Sequence, residues 1–101
     1  MNFNLKYDFN ALSEIEDKSG LGITEIMESK KIMSTTRVML WGGMLHINPN
    51  ITVSEVGELI QNEIKEGKKI DDIMGIVVKA LGKSGVMGVQ EEKKEGTEGK
   101  N

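Results

Sequence analysis

The chain has 101 residues, with 16 acidic and 13 basic side chains and a formal net charge of −3. This length fits one small domain, and the charge disfavours a nucleic-acid-binding protein, which needs a concentrated basic face. Cysteine is absent, no apolar run is long enough for a membrane helix, and the N-terminus lacks a signal-peptide layout, so we expect a cytoplasmic protein without disulfides or thiolate metal sites.

The first residues predict an extended segment. Phe3, Leu5 and Tyr7 alternate with polar residues, which is the period of a half-buried strand. Because the alternation is short, residues 3–7 are expected to form either a short β-strand or an extended arm. Asp8 has the side chain that helix N-caps prefer, so the chain is expected to enter a helix directly after this segment.

Two helices are predicted in the next part of the chain. Apolar residues at helical spacing, with acidic residues between them, predict a first helix over residues 9–18. Gly20 provides a typical helix stop. A shorter second helix is expected over residues 23–29, with Ile23, Ile26 and Met27 turned inward.

The third predicted helix is apolar around most of its circumference. Ser34 is its expected N-cap, and Asn48 and Pro49 end it because the residue before proline avoids helical torsion angles. Its apolar residues are Val38, Met39, Leu40, Trp41, Met44, Leu45 and Ile47. A helix that is apolar on most sides is buried on most sides, so this helix is predicted to be largely enclosed.

Two amphipathic helices follow. Thr52 and Glu55 fit a capping box at the start of the fourth helix, and Gly67 closes that helix. The fifth helix is predicted over residues 70–81, where apolar residues recur every three or four positions. Acidic residues in its first turn suit the positive end of the helix dipole.

The C-terminal residues differ in composition from the rest of the chain. Residues 88–101 contain almost nothing to bury and predict a disordered, charged tail. The domain itself is therefore expected over residues 1–87. The predicted fold class is mainly α: a small helical domain of four to five helices, with the short N-terminal β-strand or extended arm.

The glycine pair of the third helix marks the best candidate for a functional surface. Two glycines inside a helix cost about 1 kcal/mol each relative to alanine, so another interaction must offset them. Close approach of another helix is the first explanation, and a kink or a binding groove is the alternative. Because methionine lines adaptable binding surfaces as well as cores, the predicted partner-binding residues are Met39, Trp41, Gly42, Gly43 and Met44.

Catalytic and metal-binding patterns are not recognisable in the sequence. The only histidine, His46, lies near the predicted end of the third helix, where a structural role is expected. No nucleophile–base pair and no phosphate-binding loop stands out, so we predict no enzymatic activity, metal or cofactor. These observations alone indicate a small cytoplasmic helical domain that binds another protein or regulates it.

Two stretches of the sequence share their residue order with a known family. The N-terminal stretch comprises Asp8-Phe9-Asn10-Ala11-Leu12, Glu14, Glu16 and Gly20. The central stretch comprises Arg37, Leu40-Trp41-Gly42, Leu45-His46, Asn48-Pro49, Thr52 and Glu55-Val56-Gly57-Glu58-Leu59-Ile60. In this order the chain resembles the tail assembly chaperones of long-tailed bacteriophages and prophages over about residues 3–80. It departs from them at Gly43-Met44, where a Gly-Leu or Ala-Leu pair is commoner.

The resemblance implies a function in virion morphogenesis. It implies a protein that binds the tape measure protein in the cytoplasm of the bacterial host, helps to recruit tail tube subunits and is absent from the mature virion. A second, longer form made by translational frameshift would carry the contact to the tail tube protein. Homo-oligomers along the partner are also expected. A regulatory domain unrelated to tail assembly and a nucleic-acid-binding helical domain remain the alternatives.

Overall fold

Five α-helices and an N-terminal arm make up residues 3–86, the part of the chain that the computed structural model describes. The helices are α1 (Phe9–Ser19), α2 (Ile23–Met27), α3 (Ile32–Met44), α4 (Val53–Lys65) and α5 (Ile70–Ser84). The predicted mainly α domain of four to five helices is confirmed. Residues 3–7 form the extended arm, and the described residues contain no β-strand. The predicted tail, residues 88–101, lies outside the described residues.

The helix α3 is the centre of the fold. It packs against α1, α4 and α5, whereas α2 packs on α1. An unbroken run from Val38 to Gly43 is buried, which confirms the enclosure predicted from its apolar circumference. Buried apolar residues of every other helix surround it: Leu12, Ile15, Ile23, Ile26, Val56, Ile60, Ile73, Val77 and Leu81.

Local capping interactions fix where two of the helices begin. A side-chain oxygen of Asp8 accepts a hydrogen bond of 2.8 Å from the backbone N–H of Ala11, at the start of α1. At the start of α4, the hydroxyl of Thr52 accepts from the backbone N–H of Glu55 at 3.0 Å. The Glu55 carboxylate accepts in return from the N–H of Thr52 at 2.9 Å, which confirms the predicted capping box. These bonds satisfy backbone donors that the first helical turn leaves without partners.

The predicted N-cap of α3 is wrong by three residues. The helix begins at Ile32, with Lys31 in the N-cap position, and Ser34 lies inside it. The hydroxyl of Ser29 accepts a hydrogen bond of 3.0 Å from the N–H of Lys31, which closes a turn directly after α2. This side-chain turn brings the chain into helical geometry before Ser34, so no cap at Ser34 is needed.

The helix α3 also ends earlier than predicted. It stops at Met44, and a turn over residues 45–47 leads to Asn48 and Pro49. The N–H of Ile47 donates to the carbonyl of Met44 at 3.1 Å, a tighter pattern than that of an α-helix. Proline thus ends the helical region as expected, but the last turn before it is no longer α-helical.

Candidate functional site

The five residues predicted to bind a partner lie in the second half of α3 and are mostly enclosed. Met39 has no exposed surface, and only 7% of Trp41 is exposed. Gly42 and Gly43 are buried, and Met44 is half-buried. The structure therefore places these residues together but turns them toward the protein interior. They would reach a partner only after the covering elements moved aside, so their partner-binding role stays a prediction.

Close packing explains the glycine pair. A Cβ atom at Gly42 would overlap Cγ1 and Cδ1 of Ile15, which projects from α1. A Cβ atom at Gly43 would lie 2.8 Å from Cζ of Tyr7 and 3.0 Å from Cδ2 of Leu5 in the N-terminal arm. Each glycine thus admits a different element against α3. The packing gained there offsets the helix propensity that glycine lacks.

Trp41 connects three parts of the fold. Its indole N–H donates a hydrogen bond of 2.9 Å to the carbonyl of Ile51, in the turn that precedes α4. The ammonium group of Lys18, near the end of α1, lies 5.1 Å from the centroid of the indole ring. This distance is within the range of a cation–π interaction. The side chain therefore acts as a structural anchor whose outer face is covered by a basic residue.

Polar contacts attach the N-terminal arm to the end of α3. The backbone N–H of Lys6 donates a hydrogen bond of 3.0 Å to the carbonyl of Gly43. The Nε2 atom of His46 lies 2.8 Å from the carbonyl oxygen of Asn4. Because a carbonyl oxygen only accepts, this contact requires the proton on Nε2. The structure thus gives His46 a contact of the structural kind expected from the sequence.

Tyr7 is the most deeply buried anchor of the arm. Only 2% of its surface is exposed, and its hydroxyl donates a hydrogen bond of 2.7 Å to the carbonyl of Met39. Burial raises the pKa of the phenol well above its ordinary value, because the charged phenolate would lose its hydration. The folded arm therefore requires the neutral form of Tyr7.

This requirement predicts a pH dependence. The unfolded chain releases the Tyr7 proton above about pH 10, whereas the folded chain retains it. We therefore expect the free energy of unfolding to fall as the pH rises above that value. Tyr7→Phe loses about 1 kcal/mol at neutral pH and also lacks this alkaline component. Because Tyr7 is the only tyrosine, phenolate absorbance titrates it alone. Titration at the ordinary pKa in the folded protein would contradict the expectation.

An open groove beside this packed region was not predicted from the sequence. It lies between the end of α1, α2, the first half of α3 and the start of α4, with a volume of about 370 Å³. Side chains that define this α2–α3 groove are Lys18, Leu21, Ile26, Lys31, Arg37 and Val38. These residues come from three helices and two connections, and no sequence period links them. Of these six residues, only Arg37 is among those that carry the resemblance described above.

The described residues give no metal centre and no membrane segment. Within residues 3–86, no group of three or more His, Asp or Glu side chains is placed to hold a metal ion. None of the helices in this range has the length and apolar character that crossing a membrane requires. The site features that remain are grooves between helices and exposed apolar side chains.

Comparison of the chain with protein-family models, with curated proteins and with solved structures finds no match. A functional proposal for this chain therefore rests on its residue order and on the geometry described above.

Proposed function

We propose that this chain is a tail assembly chaperone of a long-tailed bacteriophage or prophage. In this proposal it binds the tape measure protein in the cytoplasm of the bacterial host, before the tail tube forms around that protein. It then helps to recruit tail tube subunits and does not remain in the mature virion. The role requires reversible protein binding and no catalytic step.

The residue order from Arg37 to Ile60 carries the proposal. This segment comprises most of α3, the following turn and most of α4, which pack against each other. Within it, Trp41 is hydrogen-bonded to the carbonyl of Ile51, and Gly42 gives room to a helix outside the segment. Two residues of the resemblance, Trp41 and Gly42, thus have specific packing contacts in one structural unit. Because these contacts lie within one packed unit, they support reading the residue order from Arg37 to Ile60 as a single pattern rather than as several short chance similarities.

Exposed apolar side chains support a protein-binding role. Phe9 at the start of α1 is 76% exposed, and Met33 near the start of α3 is 61% exposed. Ile32, beside Met33, is also exposed. Adjacent exposed apolar residues favour a contact surface more than isolated ones do. A chaperone that coats a long partner needs contacts both to the partner and between its own copies, so homo-oligomers are part of the proposal.

Co-purification tests the proposal directly. We expect the N-terminally tagged chain, co-expressed with the tape measure protein of the same phage or prophage, to elute together with it and keep it soluble. Apolar burial in a reversible complex is the physical reason for both effects. The measurement is the amount of tape measure protein in the eluate, with the tagged chain alone and an unrelated tagged helical protein as controls.

The outcomes separate the functional classes. A folded, tagged chain that forms a defined dimer and captures no tape measure protein would contradict the proposal and favour a regulatory domain. A salt-sensitive mobility shift with DNA would favour a nucleic-acid-binding domain. Expression of the tagged chain from the native gene region tests for the frameshift-extended form. We expect it as a minor tagged band above the main 11.2 kDa product. That longer form is the one proposed to bring the tail tube protein.

A further inference from the structure

The α2–α3 groove offers an apolar floor that is open to a second molecule. Ile26 and Val38 form buried parts of its lining, and Leu21 at its edge is 44% exposed. Its volume of about 370 Å³ falls within the range of protein ligand clefts, about 300–1,000 Å³. The groove therefore has room for apolar side chains supplied by a partner.

The rim of this groove is positively charged. Lys18, Lys31 and Arg37 line it, and no acidic side chain does. This contrasts with the whole chain, in which 16 acidic residues outnumber 13 basic ones. Within residues 3–86, Lys68 forms an ion pair with Glu63, and neither residue lines the groove. The rim is thus complementary to carboxylates that the described part of the chain does not itself provide.

Arg37 connects this groove to a second, smaller one. The second groove, about 190 Å³, lies between α3, α4 and the start of α5, and acidic side chains are absent from its lining as well. Ser34 and Arg37 line both grooves. Gly57 of α4 lies beside the Arg37 stem, where a Cβ atom would be in van der Waals contact with the Arg37 Cδ at 3.4 Å. The exposed side chain of Met33 extends the apolar surface on this side.

We propose that these two grooves together bind an amphipathic helical segment of the partner, with its apolar residues against the floor and Asp or Glu residues against the basic rim. The inference rests on the proposed function, in which the partner is the tape measure protein. Helices bind grooves through apolar residues three or four positions apart, and carboxylates between them reach the rim. The planar guanidinium of Arg37 matches a carboxylate with two parallel hydrogen bonds.

The chemistry of the grooves favours a protein segment over a nucleic acid. Single-stranded nucleic acids need a continuous basic track and exposed aromatic rings on which bases stack. Neither groove is lined by an aromatic residue, and Trp41 nearby is only 7% exposed. Three basic side chains on a chain with a net charge of −3 give a short basic rim rather than a track. The apolar floor fits apolar side chains instead.

The test measures capture of the tape measure protein by the full chain and by the double variant Lys31→Met/Arg37→Met. Methionine keeps an unbranched stem at each position, so the floor is preserved while two charges are removed. We expect the variant to bind about tenfold more weakly or worse, since arginine anchors in interfaces carry at least this effect. Overlapping peptides of the tape measure protein then locate the bound segment, which is expected to carry Asp or Glu beside apolar residues at helical spacing.

Two further variants and one internal reporter make the test specific. Lys65→Met/Lys79→Met removes the same charge from exposed positions outside both grooves and is expected to bind normally. Lys31→Arg/Arg37→Lys keeps both charges but removes the two-pronged guanidinium from position 37, so its binding is expected to lie between that of the unmodified chain and that of Lys31→Met/Arg37→Met. Trp41, the only tryptophan, lies under Lys18 at the rim, so its fluorescence is expected to change when peptides without tryptophan bind.

Each outcome decides between the inference and the function on which it rests. Normal capture by Lys31→Met/Arg37→Met would overturn the groove assignment and leave the chaperone proposal standing. No capture by the unmodified chain would remove both. If Lys65→Met/Lys79→Met weakened binding of the tape measure protein equally, the loss would be due to net charge alone, and the assignment of binding to the grooves would be overturned. Binding of a thymidine oligonucleotide that displaces the peptide with a steep salt dependence would replace the protein segment by nucleic acid.

Discussion

Gly42→Ala is expected to lower the free energy of unfolding by about 2 kcal/mol, although alanine is the better helix former. The added methyl group would overlap Cγ1 and Cδ1 of Ile15, a side chain with no exposed surface. Ile15 is branched at Cβ and fully enclosed, so the backbone of α1 must shift to make room. Overpacking of this kind costs up to about 3 kcal/mol. The gain in helix propensity returns about 1 kcal/mol.

Gly75→Ala provides a matched control with the opposite sign. Gly75 lies inside α5, is exposed, and has no atom within 4 Å of an added Cβ outside its own helix backbone. The same substitution is therefore expected to raise the free energy of unfolding by up to about 1 kcal/mol, through helix propensity and a less flexible unfolded chain. Urea unfolding followed by Trp41 fluorescence measures both variants under identical conditions.

A double-mutant cycle tests the contact itself. Ile15→Ala alone leaves a cavity beside Gly42 and is expected to cost about 2–5 kcal/mol. In Ile15→Ala/Gly42→Ala the new methyl group occupies part of that cavity, so the combined loss is expected to be smaller than the sum of the single losses. Additive losses, or a Gly42→Ala variant as stable as Gly75→Ala, would show that Ile15 does not pack on Gly42 as described.

The features that follow from local chemistry were predictable from the sequence. Asp8 and the box of Thr52 with Glu55 act on backbone groups within three residues, so the sequence contains both partners of each bond. The start of α3 was missed for a related reason. Ser34 has the residue type of a cap, but Ser29 closes a turn five residues earlier and sets the helix start.

The features that depend on tertiary contacts were only partly predictable. The cost of two helical glycines indicated a close approach at Gly42 and Gly43, but not that one would receive Ile15 and the other Tyr7. The basic rim of the α2–α3 groove was not indicated at all, because its charges come from separate helices and connections. A single sequence shows on which face of its own helix each residue lies. It does not show which exposed faces meet around a groove.

Trp41→Ala is expected to be the most destabilising of these substitutions. Truncation removes a large buried ring, which costs about 3–5 kcal/mol in transfer and cavity terms. It also removes the donor to the Ile51 carbonyl beside the start of α4. Domains of this size have total stabilities of about 5–15 kcal/mol, so the melting temperature is expected to fall by roughly 15 °C or more. Because no tryptophan remains, far-UV circular dichroism is the appropriate measurement.

The function of Trp41 can then be separated from its structural role with Trp41→Phe, which keeps most of the buried ring and loses the hydrogen bond. If the partner binds in the α2–α3 groove, folded Trp41→Phe captures tape measure protein as the unmodified chain does, whereas Lys31→Met/Arg37→Met binds it more weakly. The opposite pattern, folded Trp41→Phe without capture, would mean that the complex exposes the core residues of α3. Binding would then require α1 and the N-terminal arm to leave Gly42 and Gly43, and the partner's apolar residues would take their place.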